Sequence, residues 1–373
     1  MRPGLYRSLI VSLPFAVLAC AATDKNSSTA SSTAAIASSA SGSNPIFAAF
    51  VDTYFDSLYA FTPSQGTAAG FHQYDSKVED YSAATMQRRI ATLHWLQGQL
   101  DSIRTPQLAL DDSIDAAIID GNIKSELQDE ETLANWKKNP MSYVGLPGNA
   151  VDLLMKRNFA SPADRLKAVT ARLRGVPAVL NEMRINIVNP PKEFTDLSWR
   201  IASGSVGFFK NDVATWAKGA AGSDSAALRN FTSVNDSVVS AMQGASNWLK
   251  TMIPKSHGAY AIGAKNFADK LLYDEMVDIP LPRLLQLGEA NLDKDYKDFV
   301  ATAQLVAPGK TPAQAMATLE DEHPTAADLI PSGKRTIDGI RQYLIDHKII
   351  DIPSEVRPTV TETPPYARSG SFA

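Results

Sequence analysis

Between Ser161 and Asn189, apolar residues recur in alternating steps of three and four: Leu166, Val169, Leu173, Val176, Leu180, Met183 and Ile187. That spacing puts all of them on one face of a helix, and a face this long has to be covered by other helices. Ser161-Pro162-Ala163-Asp164 supplies a start: a capping serine, a first-turn proline and an acidic side chain that reaches back. Pro177 lies inside the seam. It has no N–H to bond the carbonyl of Leu173, so the spacing predicts a kink or a break at this point.

Other segments repeat the pattern. Asn44-Pro45 reads as a cap and first-turn proline, followed at helical spacing by Phe47, Phe50, Val51, Tyr54 and Leu58. Met86, Ile90, Leu93, Leu96 and Leu100 predict a helix over about 83–103. Asp111-Asp112 suits the positive end of a third helix. A loop is expected over Gly219 to Ser225, then a helix over Ser237 to Met252. Leu281, Leu285, Leu292, Tyr296, Phe299 and Ala303 mark another helix, Thr311-Pro312-Ala313-Gln314 begins one more, and Ile337, Ile340, Tyr343 and Leu344 close the series. From Ile349 to Pro365 the chain turns β-branched and proline-rich, so extended structure is predicted, with room for short edge strands only. The fold class is mostly α: a multi-helix array with a short extended segment at its C-terminal end.

The ends of the chain differ from its middle. Arg2 and Arg7 precede an eleven-residue, mostly apolar run, Leu9 to Ala19, too short to span a membrane and interrupted by Pro14. Residues 1–20 therefore read as an export signal. Its end, Val17-Leu18-Ala19-Cys20, resembles a lipoprotein box with Cys20 as the acylated residue, and plain cleavage near Ala19 or Ala22 is the alternative. Cys20 is the only cysteine, so no internal disulfide can form. Residues 21–44 read as a tether: fifteen of the seventeen residues from Ser27 to Ser43 are Ser, Thr or Ala, too polar to bury a core. The expected location is the periplasm or the outer membrane, held through a lipid anchor, with a helical domain over 45–373. Net charge is −4, or −4 − 2 = −6 without the two leader arginines, and no basic stripe exists to neutralise phosphates. Nucleic acid is thereby excluded as an expected partner.

Spacing alone yields no catalytic or metal site. The five histidines, His72, His94, His257, His323 and His347, are followed by Gln73, Trp95, Gly258, Pro324 and Lys348, so none opens a His-Glu-x-x-His zinc helix. Asp321-Glu322-His323 is dense in metal-capable side chains, yet adjacent residues do not converge on one ion, and an inter-helix loop is the favoured reading. Gly204-Ser205-Val206-Gly207 lacks a residue of the esterase elbow, and Gln304 stands where a phosphate loop before Lys310-Thr311 needs glycine. The acidic pairs Asp111-Asp112 and Glu130-Glu131 read as solvated charges at helix ends and on polar faces.

Several stretches carry a family likeness. They are Thr67-Ala68-Ala69-Gly70-Phe71-His72-Gln73-Tyr74-Asp75; Trp136 with Asn139-Pro140 and Tyr143; Arg157-Asn158-Phe159-Ala160 with Arg165, Arg172-Leu173, Pro177 and Asn189-Pro190-Pro191; Ala261-Ile262-Gly263; and Thr363-Pro364-Pro365-Tyr366-Ala367-Arg368. Their order resembles the bacterial domain-of-unknown-function 885 family, which is zinc-metallopeptidase-like. The resemblance implies a helical peptidase-like fold, a peptide substrate, and zinc as the full-length family's cofactor, bound at a His-Glu-x-x-His motif downstream of the Thr-Pro-Pro-Tyr-x-Arg stretch. Since this chain stops five residues after Arg368, it is expected to be the truncated, non-catalytic N-terminal part, with no cofactor of its own. Tyr366 and Arg368 are the candidate groove residues, because an arginine there could bind a substrate carboxylate; both could instead pack the extended segment against a helix. A lipid-anchored helical binding or envelope-assembly protein without enzymatic activity is the competing reading.

Overall fold

The computed structural model describes residues 44–103, 108–320, 322–363 and 368. The leader, Cys20, the tether up to Ser43, Asp321 and Tyr366 lie outside the described residues. The architecture is an all-α multi-helix array, and among the described residues there is no strand. From Asp351 to Thr363 the chain forms neither helix nor strand, so the short edge strands for which the sequence leaves room are absent among the described residues. Pro353 and Pro358 offer no N–H to a ladder. No helix among the described residues is long and apolar enough to cross a membrane.

Two compact units are present, one within Ser43–Leu281 and one over Pro282–Glu362. In the larger unit, α1 (Pro45–Phe61) starts at Asn44, whose side chain accepts from the N–H groups of Ile46 and Phe47. After the short α2 (Pro63–Ala68) come α3 (Ala83–Ile103) and α4 (Leu110–Leu127). Phe47, Phe50 and Tyr54 of α1 close a core with Leu93, Leu96 and Leu100 of α3 and Ala116, Ile119 and Ile123 of α4. One expected core position is displaced: Arg89 is buried, whereas Ile90 is only half-buried.

The second core of this unit gathers α5 (Met141–Lys156), α6 (Pro162–Leu173), α7 (Val176–Asn186), α8 (Lys192–Gly207), α9 (Ala214–Ala221) and α10 (Ser225–Met252). The apolar seam is wholly buried here, and it runs across a break, not along one helix. α6 stops at Leu173, and Pro177 stands in the first turn of α7, where its missing N–H costs nothing. Gly175 at the break faces Val78 so closely that a Cβ would lie 2.3 Å from the valine methyl.

Both α4 and α8 pass into π-helical turns, Gln128–Thr132 and Phe208–Val213, and α8, its turn and α9 form one continuous rod. The loop expected over Gly219 to Ser225 is narrower, because α9 extends to Ala221 and Asp224 caps α10 by accepting from Ala226 and Ala227. α10 therefore begins twelve residues before the Ser237 expected from the sequence. The unit ends with α11 (Ala264–Glu275).

The smaller unit holds α12 (Leu281–Val306), α13 (Pro312–Glu320) and α14 (Leu329–Asp346). Thr311 and Gln314 form a reciprocal capping box: Gln314 N donates to Thr311 Oγ1 at 3.2 Å, and Thr311 N donates to Gln314 Oε1 at 2.9 Å. Its buried apolar cluster is Ala303, Ala307 and Ala315. Along the expected seam of α12, Leu285, Leu292, Tyr296 and Phe299 are exposed, and Ala303 alone is buried.

Candidate functional site

The stretches that carry the family likeness meet at chain crossings. Arg172 is 1% exposed and is the largest fully buried side chain. Its Nη1 donates to Ala150 O at 2.6 Å, while Nη2 donates to Thr67 Oγ1 at 2.7 Å and Tyr74 O at 2.8 Å. Thr67 Oγ1 in turn donates to Asp75 Oδ1 at 2.8 Å, and Asp75 Oδ2 lies 3.0 Å from His72 Nδ1. The His72 ring stacks on Phe159 at 4.1 Å, and Arg157 donates to Ala68 O at 2.7 Å. Burial lowers the Arg172 pKa, against the opposing pull of Glu79 and Asp75. Three segments, α5, α6 and the 67–75 stretch, are thus tied by one guanidinium.

A second crossing joins Trp136, Tyr143 and Asn186. Tyr143 OH donates to Trp136 O at 2.6 Å, and Asn186 Nδ2 donates to Tyr143 OH at 3.1 Å and Tyr81 O at 2.7 Å. Burial pushes the Tyr143 hydroxyl up to about 12 and the Tyr81 hydroxyl higher still. At a third, Asn189 takes a left-handed φ of 45° and accepts from His257 N at 3.0 Å, while Gly258 N donates to Pro190 O at 3.1 Å.

The spacing reading missed an ionic centre. Arg89 on α3, its side chain 2% exposed, pairs with Glu126 of α4, and its Nε lies 3.9 Å from Glu130 Oε1. Arg89 also reaches Ser57 Oγ at 3.4 Å and sits over the Phe61 ring at 5.0 Å. Glu130 is not the solvated charge expected from the sequence: its side chain is 14% exposed, and Oε2 is buried without a hydrogen-bond partner. Desolvation raises its carboxyl to about 7, against the attraction of Arg89 and with a push from Asp129. The π-turn is the cause. It swings Glu130 inward and leaves Glu131 outside, where it meets His94 Nε2 at 2.8 Å. Asp112 departs from expectation likewise, being buried and accepting Asn44 N at 2.7 Å, while Asp111 is exposed.

The third feature is a groove of about 670 Å³ between α10 and the α8–α9 rod. Val206, Ala214, Phe231 and Val239 give it an apolar lining, Thr232, Asn235, Ser240, Gln243 and Asn247 add amides and hydroxyls, and Lys210 and Asp236 bring one charge of each sign. Between Arg229 and Lys250, Asp236 is the sole charged residue of α10. Asn235 is buried; its Nδ2 donates to Phe209 O in the π-turn at 2.9 Å, and its Oδ1 accepts nothing. From Phe231 to Asn247 the groove runs about 24 Å along the helix, room for roughly seven extended residues.

Among the described residues, no three His, Cys, Asp or Glu side chains are grouped to hold a metal ion. The donor set among the described residues therefore does not fit a zinc site. Glu322 and His323 are exposed loop residues, and His323 Nδ1 lies 3.0 Å from Pro324 O. Arg368, a candidate for the substrate groove, is exposed and donates Nε to Thr363 O at 2.9 Å. Its partner candidate Tyr366 and the lipidation candidate Cys20 lie outside the described residues.

Comparison with curated proteins returns no match. A solved structure described as "a putative lipoprotein of unknown function from Shewanella oneidensis" superposes with a TM-score of 0.64 at 23% identity, covering 85% of this chain. At that identity the likeness is one of fold. The chain spans 60% of the length of the Shewanella protein. The model of the family described as "Bacterial protein of unknown function (DUF885)" matches residues 63–373, which takes in every stretch of the likeness, so the chain belongs to the DUF885 family.

Proposed function

We propose that this chain is the helical, non-catalytic part of an exported zinc-peptidase-like protein, and that it holds an extended peptide while catalysis comes from residues beyond those described. The groove along α10 is the observation that carries this reading. Amide and hydroxyl side chains over an apolar floor can pair with a peptide backbone and cover its side chains, while Lys210 and Asp236, one charge of each sign, leave the lining without net charge. The family's zinc chemistry would then be supplied by a His-Glu-x-x-His segment encoded after Ala373.

Two measurements test it. The DNA following codon 373 should contain that motif in some frame; a few hundred bases without it would overturn the peptidase part. Binding of a fluorescent neutral peptide, acetyl-(Ala-Ser)3-amide, should weaken at least tenfold in Ser240→Trp, which fills the groove from an exposed position. No binding, or equal binding by the variant, would overturn the holding role.

A second reading is a lipid-anchored binding protein without activity, favoured by the lipoprotein description of the Shewanella relative and by the box ending at Cys20. It predicts that fatty-acid labelling of expressed protein is abolished by Cys20→Ala.

A further inference from the structure

We propose that Arg89, Glu126 and Glu130 form a proton-operated latch that sets how firmly α11 is held against α4 and its π-turn. The argument starts from charge. One buried guanidinium faces two carboxylates, and Glu126 already pairs with its Nη2. Glu130 stands 3.9 Å from Nε, and neither Nε nor Glu130 Oε2 has a hydrogen-bond partner. Full ionisation would leave one uncompensated negative charge in a poorly hydrated site, so Glu130 holds a proton until the solution is alkaline enough to remove it.

Among the described residues, Arg89 is the cation that acts on Glu130. α1 presents Tyr54 and Ser57, and the loop before α3 presents Glu79 and Tyr81, both acting on the same electrostatic system. The π-turn adds Asp129, a second negative neighbour. The turn after it contributes Trp136, whose Nε1 donates to Glu130 O at 3.0 Å. α5 and α7 offer Tyr143, Asn186 and Glu182. From α11, Lys270 reaches Asp129 at 3.6 Å and Asp274 at 2.8 Å.

The coupling to α11 passes through the same five-residue turn. Gln128, two residues before Glu130, donates Nε2 to Asn266 O at 2.8 Å, and Asp129 takes Lys270. On α4, Ser125 bonds Asp274, and Gly121 lets α11 come close enough that a Cβ would lie 2.7 Å from Tyr273 O. Gln128–Thr132 is a π-helical insertion, a form found as single turns inside α-helices and frequently at functional sites, and it is the segment the latch would move. If Glu130 turns outward to be solvated when ionised, Gln128 and Asp129 rotate with it and release α11. The latch is closed in acid and loosens as pH rises.

Hydrogen exchange of the full chain between pH 5.5 and 8.5 tests this, with the intrinsic pH dependence of exchange divided out. Protection of the 264–275 amides should fall as pH rises through about 7, by at least tenfold and by up to about 30-fold over this range, the part of the shift from 4.5 to about 7 that lies above pH 5.5. Glu130→Gln should keep the acid-state protection at every pH. Glu126→Gln should move the midpoint to lower pH, because Arg89 is then free for Glu130. Flat protection of α11 in the wild type, or an unchanged profile in Glu130→Gln, overturns the latch. Should Glu130→Gln fail to fold, the carboxyl carbon resonance of Glu130 in wild-type protein decides: a midpoint near 7 supports it, and one near 4.5 overturns it.

Discussion

Replacing Arg172 by methionine separates a structural guanidinium from a dispensable one. Methionine preserves most of the volume of the stem and removes three donated hydrogen bonds, to Ala150 O, Tyr74 O and Thr67 Oγ1. It also deprives Asp75 and Glu79 of their positive neighbour. Hydrogen bonds from a charged group contribute about 1.5–3 kcal/mol each, and part of that is returned because the buried guanidinium no longer has to be desolvated. The net loss should be about 3–5 kcal/mol, a large share of the roughly 5–15 kcal/mol that a protein has in total. Urea unfolding followed by circular dichroism at 222 nm measures it. Arg172→Lys keeps the charge but not the fork, and should fall between wild type and Arg172→Met. Thr67→Val supplies the cross-check, because Thr67 Oγ1 accepts from Arg172 and donates to Asp75. The two changes together should show at least about 1 kcal/mol of coupling. A loss below about 1 kcal/mol for Arg172→Met, or strict additivity with Thr67→Val, would refute the relay.

Three further outcomes follow from the same geometry. The Glu130 carboxyl rises on folding from 4.5 to about 7, so the stability it contributes is complete below about 4.5 and is lost as pH rises through about 7. That loss is at most about 3 kcal/mol, and Glu130→Gln should flatten this part of a stability-against-pH curve. Gly258→Ala places a methyl 2.1 Å from Asn189 O, so it should lower the melting temperature and raise exchange at the 253–263 segment, with a cost of about 1–3 kcal/mol. Thr311→Ala removes one half of the capping box on α13 and should cost the smaller unit about 1 kcal/mol, read as faster exchange over 312–320 with α10 unchanged.

The helices were legible where caps and apolar periods agreed. Asn44, Ser161 and Thr311 open helices as their side chains require, and Pro177 ends one packing element and begins the next. The ionic centre is hidden because an arginine within a helical stripe reads as a surface charge. Met86, Arg89, Leu93, Leu96 and Leu100 step by three and four more regularly than the set containing Ile90, so the spacing itself had a place for the arginine. The π-turns leave a fainter trace. Ser205, Phe209, Val213, Ala217 and Ala221 are buried at steps of four, wider than the 3.6 residues of an α-turn, which a π-turn accommodates. Nothing local marks Glu130 as buried, since its environment is made by α1, α3 and the loop before α3. The groove was illegible for a related reason: a mostly polar helix face reads as ordinary surface until the neighbouring rod is placed beside it.

The break between α6 and α7 fixes how this family can vary in length. Leu173 and Val176 keep the three-and-four rhythm across it, so the two helices share one rotational phase although no hydrogen-bond ladder joins them. One residue inserted at Arg174-Gly175 would turn α7 by about 100° and carry Leu180 and Met183 off the core. Gains and losses in relatives should therefore avoid this two-residue joint, even though it has the outward form of a loop, and collect in joints such as the one before α10, where no shared phase has to be kept.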